Sequence, residues 1–546
     1  MADAETGRLC TQITESHFGP LAASVASALL TRGRLSLGQL VRFTGLKTRT
    51  VRLAILVLLQ HNILWYSQTD EEGEMLEFNT SECLMRLRFG KFVWQAQDLF
   101  GTSGAEIVQL LLDHGKLRPP DILSKLSVFD TKSSSIYAQT LHKLVTAAYL
   151  KPSTILSHNS PRDKRIKYEA EEKAKISGFP TAKELREAKE TAEARLKREE
   201  EEAEKAGLKQ KPKAQISHRS SKRKTGDGEV VDDEVYFRVN FQKFNIHIRN
   251  KLIEIAVGER FNESATEVIR ATLKATEAKQ KSLADIRSDP TSTSAIAMHI
   301  DDEDNLGVGI VTSSKKPSNA SLVKDYLLMM SSADNPTPIG RAASFVSLVE
   351  NKIRVEFETI NRRLRRRVLE AVTRERHGDD GVRILRLLLD VGKMDEKQVS
   401  KVAMMANKDV RPLLSALSSD FIISTQEVPR SADRNPTRTF YLWYFKTRHV
   451  DLQKAYSTLL GSLYKTLYNI SIRRQAERED PILKAVLTKR ERSDVAQNED
   501  LLSRLERDVL HEWENKRKKM TVLEMRVEEA VFVLRDLDTG ENNYDL

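Results

Sequence analysis

The side chains best suited to chemistry in this chain are a short acidic run and a nearby histidine. His299 precedes Asp301, Asp302, Glu303 and Asp304, and carboxylates and imidazoles are common ligands of divalent cations. Their spacing matches no calcium-binding loop, and the surrounding Ser, Asp and Gly residues are typical of a connecting segment. A solvated loop explains these residues better than a metal site does, and we expect no metal or cofactor.

Other catalytic patterns are missing from the sequence. Gly307 and Gly309 lack the third glycine of a dinucleotide-binding loop and the GK[ST] ending of a phosphate-binding loop. No GxSxG, HExxH or CxxC pattern occurs. With Cys10 and Cys83 as the only cysteines, neither a disulfide framework nor a Cys-based zinc site can form, and a reducing compartment is indicated. We therefore expect a protein that is not itself an enzyme.

Basic residues suggest a second kind of chemistry, the binding of phosphate groups. The chain has 88 basic and 78 acidic residues, a formal charge of +10, which favours acidic partners. Lys47, directly before the predicted helix TRTVRLAILVLLQHN, and Arg49 and Arg52 within it lie at the start of that helix, at the position that enters the major groove in helix-turn-helix proteins. The apolar run LAILVLL leaves that helix little polar surface. Phosphate contact or packing on another protein is therefore favoured over base reading.

Three other basic groups are candidates for contacts. Helical steps of 100° spread the arginines of NRRLRRRVLE around the helix, so they cannot all face a core, and a polyanion, an acidic protein surface and solvation all remain open. A turn between two predicted strands could reach a phosphate. A polar segment could be a nuclear import signal or a solvated charge run. The residues are Arg362, Arg363, Arg365, Arg366 and Arg367 in the helix, Arg430, Arg434 and Arg438 in the turn, and Lys211, Lys213, Arg219, Lys222, Arg223 and Lys224 in the polar segment.

A repeated pattern, LLxxG[KR][LM]xxxx[LIV], indicates what positions these residues. It occurs at Leu29–Leu40, Leu111–Ile122 and Leu388–Val399, so the chain contains several copies of one module. Each copy runs from a helix, through a glycine suited to a C-cap, into a second helix. A third apolar-periodic helix and strand-like runs follow each copy. Helix, helix, helix and hairpin is the order of a winged helix.

The predicted fold is mainly α with small β-wings: tandem winged-helix domains plus a C-terminal antiparallel coiled-coil hairpin. Its second long helix is predicted to pack through a seam that includes Leu502, Leu505, Leu523 and Val527. No window of the sequence is apolar enough for a membrane span, and the N-terminus lacks a secretory signal. The predicted domains are winged helix 1 with an extension helix at 1–100, winged helix 2 at 101–158, a charged and partly disordered linker at 159–233, winged helix 3 with a disordered insertion at about 281–318 within 234–372, winged helix 4 at 373–446, and a helical coiled-coil arm at 447–546.

Several long runs of residues resemble a known family. They are LCTQITESHFGPLAASVASALLTRGRLSLGQLVRFTGL near the N-terminus, QEVPR from Gln426, RNPTRTFYLW from Arg434, and LYKTLYNISIRR. These runs are similar to the large winged-helix subunit of RNA polymerase III, which is itself similar to the alpha subunit of TFIIE. The resemblance covers nearly the whole chain, and the long charged linker suggests the fungal type.

The resemblance implies four winged-helix domains, a coiled coil and a non-catalytic role in the nucleus. It implies a peripheral heterotrimer that binds the polymerase clamp, positions promoter DNA and assists its opening at transfer-RNA and other small-RNA genes. Implied partners are the TFIIE-beta-like subunit, the small acidic subunit, the clamp of the largest subunit, promoter DNA and TFIIIB. Two alternatives remain open, a free-standing winged-helix transcription regulator and a scaffold outside transcription.

Overall fold

The computed structural model describes residues 3–69, 73–126, 134–176, 181–205, 207–210, 229–300, 306–310, 318–331, 343–349, 352–429, 439–445, 449–492 and 502–537. The chain divides into two compact units, Met1–Asn245 and Ile246–Leu546. Helices and small antiparallel sheets make up the described secondary structure, which confirms the prediction of a mainly α fold with small β-wings. No described helix is both long and apolar enough to cross a membrane.

The first module has the order of a winged helix. Helix α3 (Leu37–Thr44), which follows the motif glycine, begins with a capping box. Ser36 Oγ accepts from Gln39 N, and Gln39 Oε1 accepts from Ser36 N. Leu35 forms a bridge with Leu76 in the wing, so a one-residue strand precedes that helix. The elements are α1 (Ala4–Phe18), α2 (Pro20–Arg32), α3 (Leu37–Thr44), α4 (Thr48–Gln60), β1 (Leu64–Thr69) and β2 (Gly73–Phe78).

The second module extends past the boundary predicted at residue 158, which is a correction. Its strand β3 pairs with β6, which lies beyond the charged segment, and Leu117 forms a bridge with Phe237. The charged segment is thus inserted in the wing of this module. Local patterns could not show this, because the choice of a strand's partner is a long-range property. The elements are α5 (Thr80–Leu84), α6 (Phe89–His114), α7 (Pro119–Leu126), α8 (Ser134–Thr146), β3 (Leu150–Pro152), α9 (Pro161–Ala174), α10 (Ala182–Lys205), β4 (Leu208–Gln210), β5 (Glu229–Val231) and β6 (Phe237–Val239).

The charged segment also corrects the prediction of a linker. Helices α9 and α10 pack against each other in antiparallel fashion, with Arg195 Nη1 lying 2.6 Å from Glu171 Oε2. Tyr168 and Ala192 are buried, so a narrow apolar seam is present within a sequence that reads as solvated. Arg34 of the first module reaches Asp163 Oδ1 at 2.6 Å. Residues 211–228, which hold the predicted import signal, lie outside the described residues.

The third module lies largely in the second unit and has a short first strand in the segment that was predicted to be disordered. Thr291 bridges Ile353, Ser288 N donates to Val355 O at 2.9 Å, and Ile296 is fully buried. The prediction is therefore wrong for 281–300, because backbone pairing with the wing orders a polar sequence. The acidic run at 301–304 lies outside the described residues. The elements are α11 (Phe241–Arg260), α12 (Glu263–Thr276), α13 (Thr293–Ala297), α14 (Asn319–Met330), β7 (Val346–Val349) and β8 (Lys352–Val355).

The fourth module has the most regular sheet, in the order β10-β11-β9. Its core joins Leu388, Val399, Leu414 and Ile423, one residue from each of the three helices and the wing. Asp395 and Gln398 form a capping box at the same distance from the motif glycine as Ser36 and Gln39 do in the first module. The elements are α15 (Phe357–Val391), β9 (Met394–Asp395), α16 (Glu396–Ala403), α17 (Asn407–Ser419), β10 (Ile423–Pro429) and β11 (Thr439–Phe445).

The C-terminal helices α18 (His449–Glu479), α19 (Pro481–Arg490) and α20 (Arg504–Val531) form the last part of the second unit. Arg474 Nη2 lies 2.6 Å from Glu524 Oε2, and Leu459 and Leu534 join one core, so α18 and α20 are antiparallel. The predicted seam is wrong at Leu505, which is 78% exposed, and at Leu523. The π-helical turn Phe532–Asp536, packed on the fourth module, replaces a regular heptad pattern there.

The repeated motif encodes the same turn in three modules. Gly33, Gly115 and Gly392 have φ values of 84°, 79° and 92°, where residues with a Cβ are disfavoured. The residue two positions later starts the first strand: Leu35 pairs with Leu76, Leu117 with Phe237 and Met394 with Trp443. The glycine therefore turns the chain out of one helix so that it can pair with the wing.

Candidate nucleic-acid and partner interfaces

The outer face of α4 combines basic and aliphatic side chains. Helix α4 buries Val51, Ala54, Ile55 and Leu58 against its own module. Its N-terminal end exposes the three predicted contact residues, Lys47, Arg49 and Arg52. The same face continues with Leu53 and Leu56, which are 57% and 61% exposed, and with the exposed Val57. We call this set, Arg49, Arg52, Leu53, Leu56 and Val57, the α4 face.

Helical periodicity explains the α4 face. Residues at steps of three and four lie on one side of a helix, so Arg49, Arg52, Leu53 and Leu56 share a side while Val51 and Leu58 take the other. Base reading in the major groove requires hydrogen-bonding groups along the helix. The α4 face offers them only in its first turn, and beyond that turn it is suited to packing on another protein.

The five arginines clustered in the sequence of α15 have different surroundings. Arg362 pairs with Glu358 at 2.7 Å, Arg367 with Glu259 at 2.8 Å, and Arg366 with both Glu370 and Asp390 at 3.0 and 3.3 Å. Arg363 is exposed, and no described carboxylate lies within ion-pair distance of it. The sequence cluster is therefore not a single basic surface.

Arg365 has a packing role, which distinguishes it from the other predicted contact residues of α15. Its Nε donates to Val533 O at 3.4 Å and its Nη2 to Leu537 O at 2.5 Å, and the guanidinium lies 5.7 Å from the ring centre of Tyr456. Carbonyl groups at a helix end have no partner within the helix. Arg365 donates to two such carbonyl groups, and these hydrogen bonds join the end of the C-terminal helices to α15.

We expect Arg365→Gln to lower the free energy of unfolding of the second unit by about 1.5–3 kcal/mol, the range for charged hydrogen bonds. Urea unfolding followed by circular dichroism measures this loss. Arg362→Gln is the control, because its partner Glu358 is on the same exposed helix surface and such pairs contribute about 0.5 kcal/mol. Equal losses in the two variants would contradict the assignment.

The third group of predicted contact residues belongs to the turn of the fourth wing. Arg430, Arg434 and Arg438 lie at 430–438, outside the described residues, as does the predicted import signal. The flanking strands β10 and β11 pair in register from Pro429 with Thr439 to Ile423 with Phe445. Contact of the wing turn with phosphate therefore stays a prediction.

Sequence reasoning missed a buried group of basic residues in the first unit. Lys116 Nζ donates to Leu59 O at 3.0 Å and lies 2.8 Å from His158 Nε2, so this nitrogen of His158 accepts and the ring is neutral. Arg238 pairs with Glu82 at 3.1 Å nearby. The one signal in the sequence was that Lys116 fills the basic position of the repeated motif.

Burial sets the protonation of this group. The pKa of His61 is lowered to about 3, chiefly by burial and next by the positive charge of Arg86. Burial and the charge of Lys116 lower the pKa of His158 to about 4, and burial lowers the pKa of Lys116 to about 8. No set of His, Cys, Asp and Glu suited to a metal occurs among the described residues. The group therefore has the character of a structural joint between the first two modules.

Three family models match the chain. Residues 8–69 match the RNA polymerase III subunit RPC82 helix-turn-helix domain, residues 139–338 match RNA polymerase III subunit RPC82, and residues 369–445 match the POLR3C C-terminal winged-helix domain. The first covers the α4 face and the third the fourth module. The second begins in α8 and ends beyond α14, so it spans the inserted charged segment.

Curated relatives match along the full length. DNA-directed RNA polymerase III subunit RPC3 of Bos taurus and that of Homo sapiens are each 26% identical over 98% of this chain and 98% of their own length. Subunit RPC-3 of Coccidioides immitis is also 26% identical, over 97% of this chain and 99% of its own. Equal identity to animal and fungal proteins leaves the fungal type a prediction. Matches of this extent, together with the winged-helix modules, show that the chain belongs to the RPC82/RPC3 family of RNA polymerase III subunits.

Proposed function

We propose that this protein is a non-catalytic subunit of nuclear RNA polymerase III and acts in a peripheral initiation heterotrimer. In this role it binds the polymerase clamp, positions promoter DNA and assists its opening in transcription of tRNA and other small RNA genes. Its partners are the TFIIE-beta-like subunit, the small acidic subunit, the clamp of the largest subunit, promoter DNA and TFIIIB. The α4 face is the observation that carries the proposal.

The chemistry of the α4 face favours assembly over independent DNA recognition. Exposing Leu53, Leu56 and Val57 to water on one helix is unfavourable, and burying each would contribute roughly 1–2 kcal/mol at 25 cal/mol per Å². A partner that covers them would recover this free energy. Arg49 and Arg52 at the rim of the same face would add contacts to phosphates or carboxylates. This combination suits a subunit that docks on protein beside DNA.

The test is co-purification of a tagged chain from nuclear extract after nuclease treatment, followed by mass spectrometry. We expect the wild-type chain to recover the RNA polymerase III subunits in near-stoichiometric amounts. Leu56→Asp should reduce that recovery at least about tenfold, because a charge at the centre of an interface costs roughly 2 kcal/mol or more. The melting temperature should stay nearly unchanged, since Leu56 is 61% exposed.

Leu505→Asp is the matched control. Leu505 is also a highly exposed leucine on a helix, so its replacement changes the same charge and hydrophobicity elsewhere. The control should recover the polymerase normally. Recovery of unrelated complexes by the wild-type chain would reject the proposed function, while full recovery by Leu56→Asp would reject only the role of the α4 face.

A further inference from the structure

A cavity of about 980 Å³ lies in the second unit against α15. Seven arginines and two glutamates are among the residues that line it, so its wall is strongly basic. Both glutamates are already paired: Glu259 with Arg367, and Glu370 with Arg366 and Arg386. The remaining positive charge of the wall has no counterpart among its own side chains.

Two of these arginines form a pair of like charges. The guanidinium carbons of Arg260 and Arg363 lie 4.5 and 5.7 Å from the centre of the same ring, that of Phe345. Arg260 Nη1 donates to Ala343 O at 2.9 Å, and no described carboxylate pairs with either guanidinium. Burial, followed by the charge of Arg363, lowers the pKa of Arg260. The fold therefore holds two cations close together. Their mutual repulsion is unfavourable, and a bound anion would offset it.

We propose that the cavity beside Arg260 and Arg363 binds a phosphate group. Two adjacent guanidiniums present forked donors, and one phosphate offers several oxygens and up to two negative charges. A carboxylate would neutralise only one of the two arginines. Arg362 and Arg367, on the same stretch of α15, also line the cavity, but each is paired with a glutamate. The phosphate can come from a nucleic-acid backbone or from a free polyphosphate, which share this chemistry.

The geometry also separates this site from the other arginines of α15. Arg365 is held by carbonyl oxygens and Arg366 by two carboxylates, so these side chains are already engaged. Arg363 is exposed and has no described carboxylate partner. It is therefore the residue whose replacement should affect the anion most and the fold least.

The test is calorimetric titration of the full chain with sodium tripolyphosphate. We expect measurable binding to the wild-type chain and about tenfold weaker binding to Arg363→Gln, the effect of removing one charged hydrogen bond. The control is Arg374→Gln, which removes the same charge from an exposed part of α15, where Arg374 pairs with Asp379 at 2.9 Å. Because the chain has a net charge of +10, this control separates the site from general attraction.

Competition identifies the source of the phosphate. Displacement of a labelled single-stranded DNA by tripolyphosphate, with DNA binding weakened in Arg363→Gln alone, would assign the site to a nucleic-acid backbone. Binding of tripolyphosphate without DNA would assign it to a free polyphosphate. Equal affinities of Arg363→Gln and Arg374→Gln for tripolyphosphate would overturn the proposal. Binding of polyglutamate with no binding of tripolyphosphate would also overturn it.

This inference does not depend on the proposed function. Arg363→Gln should co-purify with the polymerase as the wild-type chain does, because Arg363 is remote in sequence from the α4 face and lies in the other unit. A chain that binds tripolyphosphate but recovers no polymerase would support the site and reject the proposed function. A chain that recovers the polymerase but does not bind tripolyphosphate would support the function and reject the site.

Discussion

Replacing Gly115 by alanine is expected to destabilise the first unit by about 2–5 kcal/mol. Gly115 has φ of 79°, and a Cβ atom built there would lie 2.4 Å from Gln60 O and 2.9 Å from Gln60 C. The conformation alone costs a residue with a Cβ roughly 1–2 kcal/mol, and the overlap with backbone adds about 1–3 kcal/mol. The variant should melt well below the wild-type chain.

A shift of Gln60 that relieves the clash would itself be unfavourable, because Gln60 is hydrogen-bonded to the loop that contains Gly115. Gln60 Nε2 donates to His114 O at 3.1 Å and to Lys116 O at 2.7 Å. Moving Gln60 away from a new methyl group would stretch both hydrogen bonds. It would also disturb His61, whose Nδ1 would lie 3.0 Å from that methyl group.

The other two motif glycines are the controls. Gly33 and Gly392 have φ values of 84° and 92°, but nothing lies within 4 Å of a Cβ built on either. Gly33→Ala and Gly392→Ala should therefore cost only about 1–2 kcal/mol, the conformational part. Thermal unfolding of the three single variants measures the difference. Equal losses would show that close packing at Gly115 is not important.

Acidification from pH 6.5 to pH 5 is expected to weaken the first unit through His61 and His158. Both have folded-state pKa values lowered below the ordinary value of 6.5, to about 3 and about 4, chiefly by burial. In this pH range the unfolded chain binds protons that the folded chain does not, so stability falls as pH falls. Well above pH 6.5 the histidines are unprotonated in both states, and the effect is absent.

The expected loss at pH 5 is about 1–2 kcal/mol for His61 and less for His158, whose greater exposure allows solvent to screen its surroundings. The range above pH 5 separates the histidines from most carboxylates, which have ordinary pKa values near 4. Urea unfolding at several pH values gives the slope of stability against pH.

Substitution of the histidines tests the assignment. His61→Gln and His158→Gln should each flatten the slope between pH 5 and 6.5, because glutamine binds no proton there. His511→Gln should leave it unchanged, since His511 is exposed on α20. A slope that survives the removal of both histidines would show that other groups cause the acid sensitivity.

Several features of the fold could be predicted because neighbouring residues encode them. The turns at Gly33, Gly115 and Gly392 require positive φ, which glycine adopts easily, so the motif showed the modules directly. The buried positions of α4 recur at helical spacing, with Val51, Ala54, Ile55 and Leu58 on one face. The same spacing left the aliphatic part of the α4 face exposed, as the prediction of protein packing requires.

The predictions that were wrong depended on partners distant in sequence. The segment at 281–300 reads as a loop, yet Thr291 pairs with Ile353. Tyr168 and Ala192 form a seam only because α9 and α10 lie side by side. Five arginines that look equivalent in the sequence differ in the fold, where Arg365 is held by carbonyl oxygens of Val533 and Leu537.

The sequence by itself determined the modules, their order along the chain and the family, because helical periodicity, glycine turns and long similar runs are local properties of the sequence. Only the tertiary structure decided that β3 pairs with β6, that Lys116 lies beside His158, and that Arg260 and Arg363 share a cavity. These pairings join residues far apart in the chain. They depend on which surfaces meet when the apolar faces are buried, and no local pattern records that choice.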